Sequence, residues 1–410
     1  MSSVVLKPKT EGEAAQMIAD ARAEGLRLEI LGNGSKRGLG NDVVADRTIS
    51  SSALSGITAY AAAELVMVAK AGTTMAEIDK VLAKNKQMHV FEPADLSKLL
   101  GNVGKQTIGG VAATNMSGPR RFAAGAARDS LLGVRFINGR AEAIKNGGQV
   151  MKNVTGLDLV KLMAGSWGTL GFLTEVSFKV LPRPETEITL AINCQSDADA
   201  AKIMAAAMAT STDVTGAGHM PADIAKQVLP RRKNSGITLL RLEGLSETIP
   251  VRRDRLIAAL EKGLKIEELD ATTSKSTWTS IRDVLPFADN TQSPVWKISV
   301  APNAGCKVVA DIFAQTAGKA YYDWQGGLIW LRLDDETTAE AALVRSALAK
   351  HGGGHATLIR ASAAVRAGTP CFQPEAPAVA ALSARIKTAM DPDGIFNIGK
   401  MVFDAKRSAA

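Results

Sequence analysis

One stretch of the chain, Leu99–Val180, is dense in glycine within an otherwise apolar and β-branched sequence. Glycine has no Cβ, so a run of this kind is typical of backbone that comes close to a flat or anionic ligand. Four cations lie in the same stretch: Lys105, Arg120, Arg121 and Arg128. Backbone amides beside positive charge favour a large phosphate ligand. The alternative is a glycine-rich turn region that binds nothing.

Composition limits the classes of partner. The 410 residues suffice for two or three domains, and the net charge is +8. The cations are nevertheless dispersed, and clusters such as Arg231–Lys233 and Arg252-Arg253 are short. Aromatic residues make up only 4% of the chain, which leaves few platforms for stacking single-stranded nucleic acid. This balance favours anionic small molecules or an acidic partner protein over nucleic acid.

The three cysteines, Cys194, Cys306 and Cys371, are far apart and form no CxxC pair. Their spacing excludes a local iron–sulfur or zinc-finger pattern and fits reduced thiols in the cytosol. The first residues contain no apolar signal region, and no window approaches the ~20 apolar residues of a membrane span. We therefore expect a cytoplasmic protein without a metal site, whose membrane association, if any, comes through partner subunits.

Two glycine loops of the N-terminal half are candidates for the ligand site. The first, Gly32–Gly40, follows a strand predicted over 26–31, but its GxGxxxG spacing and its later glycines argue against a Rossmann fingerprint. The second begins at Thr107, which is predicted to cap a short helix over 108–115. The Gly109-Gly110 pair in its first turn would let a ligand reach free N–H groups and the positive end of the helix dipole.

Local patterns predict the surrounding elements. Thr10 and Thr74 each stand three residues before a glutamate, the spacing of a capping box, and apolar residues at helical intervals follow both. Asn138-Gly139 predicts a two-residue hairpin turn. The alternation of residues after Gly171 predicts a strand with one buried face.

Pro182-Arg183-Pro184 marks a predicted domain boundary. Over 185–370 strands and helices alternate, an order that fits an antiparallel sheet with helices on one face, as in ferredoxin-like folds. A last helix over 377–390 precedes a tail over 391–400. The predicted fold class is therefore α+β, and the chain has three parts: 1–184, 185–370 and 371–410.

Two further motifs carry no function of their own. Gly394 and Gly399-Lys400 have P-loop spacing, but Met401 replaces the required Ser or Thr, and too little chain follows for the helix and strand. His351–His355 is similar to the oxyanion loop of esterases, but the chain has no G-x-S-x-G nucleophile elbow. Three glycines between the two histidines would not hold them on a helix face for a metal. A turn that enters the following strand is the better interpretation.

The glycine loops and the tail resemble a known family. Residues 1–184 are similar to the FAD-binding domain of the vanillyl-alcohol oxidase type, the two-lobed PCMH fold. The segments that carry this resemblance match the second pyrophosphate loop, the turn beside the flavin, and the D-P-x-x-x-F-N-P-G tail whose asparagine approaches the isoalloxazine: Thr107–Asn115, Gly165–Phe172 and Asp391–Lys400. Three more segments resemble the GlcE subunits of glycolate oxidases: Gly118–Arg121, Asn138–Arg140 and Gly147–Val154.

The resemblance implies FAD as the cofactor. Family members with covalently bound flavin carry a histidine where this chain has Ser35, so the FAD is expected to be non-covalent. The residues that the resemblance assigns to cofactor binding are Gly32, Asn33, Gly34, Ser35, Lys36, Gly38, Thr107, Ile108, Gly109, Gly110, Thr114, Gly118, Gly168, Phe172 and Asn397.

The catalytic groups are less defined. Ala124 and Leu157 stand where related 2-hydroxy-acid dehydrogenases have tyrosines. Removal of a hydride from a 2-hydroxy acid needs a base for the hydroxyl proton and a cation for the carboxylate. The residues available for these tasks are Lys152, Arg332, His355 and Arg360.

The resemblance therefore implies an FAD-binding subunit of a glycolate oxidase complex. Such a complex oxidises glycolate to glyoxylate and contains a second FAD-binding catalytic subunit and an iron–sulfur subunit. This chain would supply flavin binding and electron transfer. Two alternatives stay open: a self-sufficient FAD-dependent dehydrogenase of another 2-hydroxy acid, and a structural or assembly subunit without catalytic function.

Overall fold

The computed structural model describes residues 4–149, 156–230 and 235–402. The chain divides into two compact units. Unit 1 comprises Met1–Ser117, Gly125–Arg183 and Pro374–Ala410, and unit 2 comprises Gly118–Ala124 and Pro184–Gln373. Across the described ranges, no helix combines the length and the apolar character needed to cross a membrane.

The strands, in chain order, are β1 (Val5–Leu6), β2 (Leu28–Leu31), β3 (Arg47–Ser50), β4 (Ile57–Ala61), β5 (Val66–Lys70), β6 (Gln87–Met88), β7 (Leu131–Ile137), β8 (Ala143–Gly147), β9 (Phe172–Lys179), β10 (Leu181–Pro182), β11 (Thr186–Cys194), β12 (Val214–Met220), β13 (Gly236–Gly244), β14 (Ile266–Leu269), β15 (Val295–Ser299), β16 (Gly318–Asp323), β17 (Leu328–Leu333) and β18 (His355–Arg360). The helices are α1 (Glu11–Ala23), α2 (Met75–Lys84), α3 (Ser97–Leu100), α4 (Ile108–Thr114), α5 (Arg121–Ala124), α6 (Ala127–Ser130), α7 (Leu159–Met163), α8 (Asp197–Met208), α9 (Ala222–Val228), α10 (Ile249–Ala259), α11 (Ala271–Arg282), α12 (Gly305–Phe313), α13 (Ala341–Lys350), α14 (Ala363–Gly368) and α15 (Pro377–Met390).

Unit 1 is built on two main sheets. β1, β3 and β2 form a parallel sheet in that order, and β4, β5, β9, β7 and β8 form an antiparallel sheet. The predicted caps are confirmed, since Thr10, Thr74 and Thr107 each accept a hydrogen bond from the third following N–H group at the start of α1, α2 and α4. α1 places Ile18 in one hydrophobic cluster with Leu28 of β2.

β9 is the central strand of the five-stranded sheet. Neighbouring residues of this strand are buried together, both at Phe172 and Leu173 and at Val176 and Ser177. A register shift against β7, between Arg135 and Phe136, also interrupts the alternation of side chains near Thr174. The prediction of a single buried face is therefore wrong.

The connection between β7 and β8 is longer than predicted. The N–H group of Asn138 donates to the carbonyl of Glu142 at 3.1 Å, and strand pairing resumes only at Ala143. Gly139 lies against the C-terminal tail, since a Cβ there would be 2.4 Å from Oδ1 of Asp391. The hairpin pattern of the sequence carries no information about this contact with the tail. The longer turn is the one that accommodates it.

The C-terminal tail adds an edge to the parallel sheet of unit 1. The N–H group of Leu28 donates to the carbonyl of Ile395 at 2.7 Å, and that of Asn397 donates to the carbonyl of Leu28 at 3.0 Å. Phe396, between them, pairs with Leu28 as in a parallel strand and is fully buried. Unit 1 is therefore assembled from both ends of the chain.

Unit 2 contains one eight-stranded antiparallel sheet in the order β14-β11-β13-β12-β16-β17-β15-β18. Its first half runs β11-α8-β12-β13-α10-β14, with α9 inserted, and its second half runs β15-α12-β16-β17-α13-β18. In each half the first strand lies between the fourth and the third, which is the ferredoxin-like arrangement. The two halves join at β12 and β16, where His219 pairs with Tyr322.

The ferredoxin-like prediction for unit 2 is confirmed, but the duplication has no clear signal in the sequence. β12 reads VTGAGHM and β14 reads IEEL, and neither has the β-branched and aromatic character of a typical strand. Each half has its own hydrophobic cluster, formed with α8 and α10 in the first and with α12 and α13 in the second.

The segment 118–124 belongs to unit 2, although the sequence analysis placed it in a continuous domain over 1–184. Three contacts of this segment explain why it belongs to unit 2. Gly118 accepts a hydrogen bond from Nε1 of Trp324 at 3.0 Å, Arg120 forms a two-point ion pair with Glu243, and Phe122 packs against the first hydrophobic cluster of unit 2. The chain thus leaves unit 1 after its second glycine loop and returns at Gly125.

Asp391 tests the role of the tail. Its buried carboxylate accepts from the N–H groups of Ile395 and Phe396 at 3.0 and 2.9 Å and pairs with Lys387. We expect Asp391→Ala to cost roughly 3 kcal/mol, because it leaves a partly buried ammonium and two amides without their acceptor. For a unit of this size this lowers Tm by roughly 6–12 °C in a thermal melt.

Asp393→Ala is the matched control for this melt. Asp393 is exposed and pairs with exposed Arg22, so its loss costs at most about 1 kcal/mol. Equal Tm values for the two variants would contradict the structural role of Asp391.

Candidate FAD-binding site

A cleft with an empty volume of about 830 Å³, partly open to solvent, lies within unit 1. Its lining residues come from the segments 29–39, 107–114, 167–173 and 397–400, together with Ser51 and Ala71.

The loop after β2 presents unpaired backbone amides in this cleft. Among the described residues, the N–H groups of Asn33, Gly34, Ser35 and Lys36 find no acceptor. All four residues line the cleft, and Gly34 has a left-handed φ of +78°. Successive amides around a left-handed residue form a concave receptor for an anion. Gly104 packs closely against this loop, because a Cβ there would lie 1.9 Å from the carbonyl oxygen of Asn33.

The second glycine loop is built differently. The N–H groups of Ile108 and Gly109 donate to backbone carbonyls that follow β5, at 3.0 and 2.9 Å. The N–H group of Gly110 donates to Oγ1 of the capping residue Thr107 at 3.2 Å. The prediction of free N–H groups at Gly109 and Gly110 is therefore wrong, because the helix cap and the neighbouring chain already use them.

Gly109 and Gly110 also differ in the atoms that a side chain at each position would meet. A Cβ on Gly109 would lie 2.7 Å from Cβ of Ala71, so this glycine lets α4 pack against the end of β5. A Cβ on Gly110 would lie 3.2 Å from Oγ1 of Thr107 and 4.0 Å from Nζ of Lys36, in the space of the cleft. The second loop thus shapes the cleft, whereas the first loop supplies its amides.

Lys36 provides a cation at the point where the two loops meet. Its Nζ donates to Oε1 of Gln106 at 2.5 Å. Burial lowers the pKa of Lys36 to about 7, and the carboxylate of Asp95 opposes this shift. Lys400 also lines the cleft, and its ammonium donates to the carbonyl of Leu39 at 2.8 Å.

The cations that the sequence analysis associated with the glycine stretch lie elsewhere. Arg120 and Arg121 belong to unit 2. Lys105 and Arg128 are exposed, and Arg128 lies 3.8 Å from Asp129. Lys36 and Lys400 take their place in the cleft, since spacing along the chain does not determine which side chains converge.

Asn397 joins three walls of the cleft. Its Oδ1 accepts from the N–H group of Ile30 at 2.7 Å, and its Nδ2 donates to the carbonyl of Trp167 at 2.7 Å. Gly168 is required beside it, because its φ is +69° and a Cβ would lie 2.8 Å from Nδ2 of Asn397. Trp167 lines the cleft with a φ of +54° and offers an aromatic surface that the residue assignments from the sequence did not include.

The structure brings most of the residues predicted to bind the cofactor together. All of them line the cleft except Gly38, Ile108 and Gly118. Gly38 is exposed at the end of the first loop, Ile108 is fully buried in the core, and Gly118 belongs to unit 2. Several lining residues had no assignment from the sequence, among them Arg37, Trp167 and Lys400.

The described candidates for catalysis, Arg332, His355 and Arg360, do not line the cleft. Lys152 lies outside the described residues. Arg332 and Arg360 both pair with Asp289, at 2.6 and 3.1 Å, and Arg360 is buried and also donates to two backbone carbonyls. His355 is exposed at the first position of β18. The two arginines therefore hold elements of unit 2 together.

The chemistry of the cleft fits FAD. Unpaired amides and the Lys36 ammonium suit a diphosphate, and the lining residues Trp167 and Leu173 are apolar, as contact with a planar ring requires. Gly110 lines the cleft, and a larger side chain there would extend into it from a position 4.0 Å from Nζ of Lys36.

Comparisons with known proteins agree with this assignment. A family model described as an FAD binding domain matches residues 2–147. Glycolate oxidase subunit GlcE of Escherichia coli K12 is 30% identical over 393 residues, which cover 94% of this chain and 95% of that protein. Glycolate oxidase subunit GlcD of Bacillus subtilis 168 is 30% identical over 203 residues, or 46% of this chain and 41% of that protein.

The fold also matches a solved structure. The crystal structure of p-cresol methylhydroxylase with substrate bound superposes with a TM-score of 0.76 and 13% identity, over 98% of this chain and 89% of that chain. The fold is thus that of a protein with a PCMH-type FAD-binding domain, and the relatives show that the chain is an FAD-linked oxidoreductase. Within this class, the match along nearly the full length shows that the chain belongs to the GlcE family of glycolate oxidase subunits.

The two glycines of the second loop should separate folding from FAD binding. We expect Gly110→Val to abolish FAD binding, because the side chain would occupy the cleft, and to lower the Tm of the FAD-free protein less than Gly109→Ala does, because its Cβ meets only Oγ1 of Thr107 at 3.2 Å. Gly109→Ala should instead destabilise the FAD-free protein by roughly 1–3 kcal/mol, since its Cβ meets Ala71. FAD titration and thermal melts measure the two effects.

Gly12→Ala is the control for these variants, because a Cβ on this helical glycine meets nothing within 4 Å. It should leave both FAD affinity and folding intact. If Gly110→Val bound FAD normally, the cleft would not be the cofactor site.

Lys36 should make FAD binding depend on pH. The protonated ammonium attracts the diphosphate, and Lys36 loses its proton as the pH rises through about 7 in the FAD-free protein. We therefore expect the Kd for FAD to increase above pH 7, by up to roughly tenfold per pH unit. Lys36→Met should remove this dependence, and exposed Lys105→Met should retain it. An unchanged slope in Lys36→Met would contradict the role of Lys36.

Proposed function

We propose that this chain is the FAD-binding subunit of a glycolate oxidase complex that converts glycolate to glyoxylate. The observation that carries this proposal is the similarity to GlcE over 94% of the chain, together with a complete cleft for FAD in unit 1. When bound, FAD supplies an acceptor for the two electrons that an alcohol loses on becoming a carbonyl. The residues of this chain bind the cofactor and fix its position.

The proposed FAD is non-covalent. Ser35 occupies the position at which covalent members of the family carry a histidine, and its side chain lies buried in the wall of the cleft. A serine hydroxyl lacks the ring nitrogen that a histidyl linkage uses. The chain therefore holds FAD through amides, the Lys36 charge and apolar contact.

The proposed partners are a second FAD-binding catalytic subunit and an iron–sulfur subunit. The name of the E. coli relative describes it as a subunit, which supports a multisubunit assembly. Within the described part of this chain, Arg332 and Arg360 are engaged in ion pairs with Asp289 and are not grouped into a catalytic site. This arrangement supports dependence on a partner for substrate oxidation. We place the assembly in the cytoplasm, with any membrane contact made through partner subunits.

Two measurements test this proposal. The purified chain, supplied with FAD, should show the visible absorption of bound flavin, and acid denaturation should release all of that flavin into solution because no covalent bond holds it. The reconstituted assembly should then oxidise glycolate, whereas the isolated chain should not bleach its flavin when glycolate is added.

Other outcomes would select other functions. Bleaching of the isolated chain by lactate or another 2-hydroxy acid would indicate a self-sufficient dehydrogenase. Full activity of an assembly that contains the Gly110→Val variant without its FAD would indicate a structural or assembly subunit. Flavin that stays with the acid-precipitated protein would overturn non-covalent binding.

A further inference from the structure

One helix on the surface of unit 1 has no side chain in its core. α15 (Pro377–Met390) contains no buried residue, and every residue over 374–385 is exposed. A helix on the surface of a globular protein normally buries an apolar stripe against the core. The first turns of α15 therefore project from unit 1 without a packing partner in the described part of the chain.

The projecting part of α15 is apolar. Ala376–Leu382 reads APAVAAL, and all of these residues are exposed. Val379 and Leu382 are 51% and 54% exposed. A single exposed aliphatic side chain is ordinary on a protein surface, but an uninterrupted run longer than about four residues is unusual unless it has a function. The run therefore indicates a contact surface.

The larger side chains of α15 form a stripe along the helix. Val379, Leu382 and Ile386 follow one another at intervals of three and four residues, so they lie on one face of the helix. The residues between them are mostly alanine. This spacing is the one by which an amphipathic helix places its apolar anchors in the hydrophobic groove of another protein. The small residues beside the stripe would let the walls of such a groove come close.

The C-terminal end of α15 is fixed to unit 1. Nζ of Lys387 donates to the carbonyls of Thr169 and Phe396 at 2.6 and 3.0 Å. Nη1 of Arg140 donates to the carbonyl of Ala389 at 2.8 Å. These bonds hold the last turn, and the helix carries the exposed first turns in a defined direction. The apolar stripe is thus arranged in advance for binding.

The charges beside this stripe are positive. The sequence of α15 contains Arg385 and Lys387 and no acidic residue. Lys387 is paired with Asp391. Arg385 is exposed on the turn after Leu382, and among the described residues its guanidinium has neither a hydrogen bond nor an ion pair. A carboxylate of a binding partner, placed beside the apolar contact, would therefore be attracted to Arg385.

A second copy of this chain fits α15 poorly. The chain has a net charge of +8, so two copies repel each other. Two helices in side-by-side contact would also cover one face of each, whereas the residues over 374–385 are exposed on every side of the helix. A groove encloses a helix on more than one side. These observations favour a different, acidic partner that offers a groove.

We propose that α15 is a docking helix, which inserts Val379, Leu382 and Ile386 into an aliphatic groove on a partner subunit. A carboxylate at the rim of that groove pairs with Arg385. This inference rests on the proposed function for the presence of partner subunits. The helix, its stripe and its charge are properties of unit 1 alone. Because the last turn of α15 is already fixed, docking costs less conformational entropy than it would for a disordered segment.

Binding of the full-length, FAD-loaded chain to the partner subunits of the reconstituted assembly, attached to a sensor surface, tests this site. Val379→Gln and Leu382→Gln should each raise the Kd at least tenfold, because each removes an apolar anchor. Both should leave FAD content and Tm unchanged, since the side chains are exposed and glutamine is a good helix former. Arg385→Gln should make the Kd less dependent on salt concentration, and Arg385→Lys should retain that dependence.

Val251→Gln is the matched control. Val251 is an aliphatic residue of α10 in unit 2, and its exposure of 53% is close to that of Val379 and Leu382. This variant should bind the partner subunits as the unchanged chain does. Equal Kd values for Val251→Gln and the two α15 variants would overturn the proposal. Light scattering that shows a dimer of the isolated chain, abolished by Leu382→Gln, would assign α15 to a second copy and overturn it as well.

Glycolate oxidation by the assembly distinguishes a failure of this inference from a failure of the proposed function. An assembly that oxidises glycolate and binds the α15 variants with the affinity of the unchanged chain would overturn the docking helix alone. An assembly whose formation depends on Val379 and Leu382, but which does not oxidise glycolate, would support the docking helix and overturn glycolate as the substrate. Failure of the unchanged chain to bind the partner subunits would overturn both proposals.

Discussion

The side chain of Asn397 holds together three segments that are far apart in the sequence. It connects β2 through Ile30, the turn over 165–172 through Trp167, and the tail in which it lies. Both of its polar atoms are buried and bonded, so its removal would leave a buried donor and a buried acceptor unsatisfied. The shape of the FAD cleft depends on this connection, because the first glycine loop follows directly from β2 and the aromatic surface comes from the turn.

Features governed by short-range rules could be predicted from the sequence. The caps at Thr10, Thr74 and Thr107 follow from an interaction across three residues. The loop over 32–40 is a predicted candidate for the ligand site without a Rossmann fingerprint, and among the described residues it contains the unpaired amides of residues 33–36. The last helix has the bounds predicted from the sequence, 377–390, and these also follow from local signals: a proline begins the helix, and the following Asp-Pro ends it.

Features that depend on convergence of distant residues could not be predicted. The amides of Gly109 and Gly110 are occupied because β5 and Thr107 lie beside them. Arg332 and Arg360 are engaged because Asp289, from another segment, lies between them. The division of unit 2 into two halves could not be predicted from residue patterns either. β12 contains glycines in place of typical strand residues, because Trp278 and the backbone of Tyr322 approach it closely. In each case the sequence shows the type of residue but not the distant residue that it contacts.

The contribution of the tail to unit 1 also has a consequence for biosynthesis. The chain order places β2 and both glycine loops before unit 2 and places Asn397 and Lys400 after it. Until the tail has been synthesised, the cleft lacks one wall, and β2 lacks its neighbour on that edge. A chain interrupted within unit 2 would therefore contain most of the residues that line the cleft but not the wall formed by the tail.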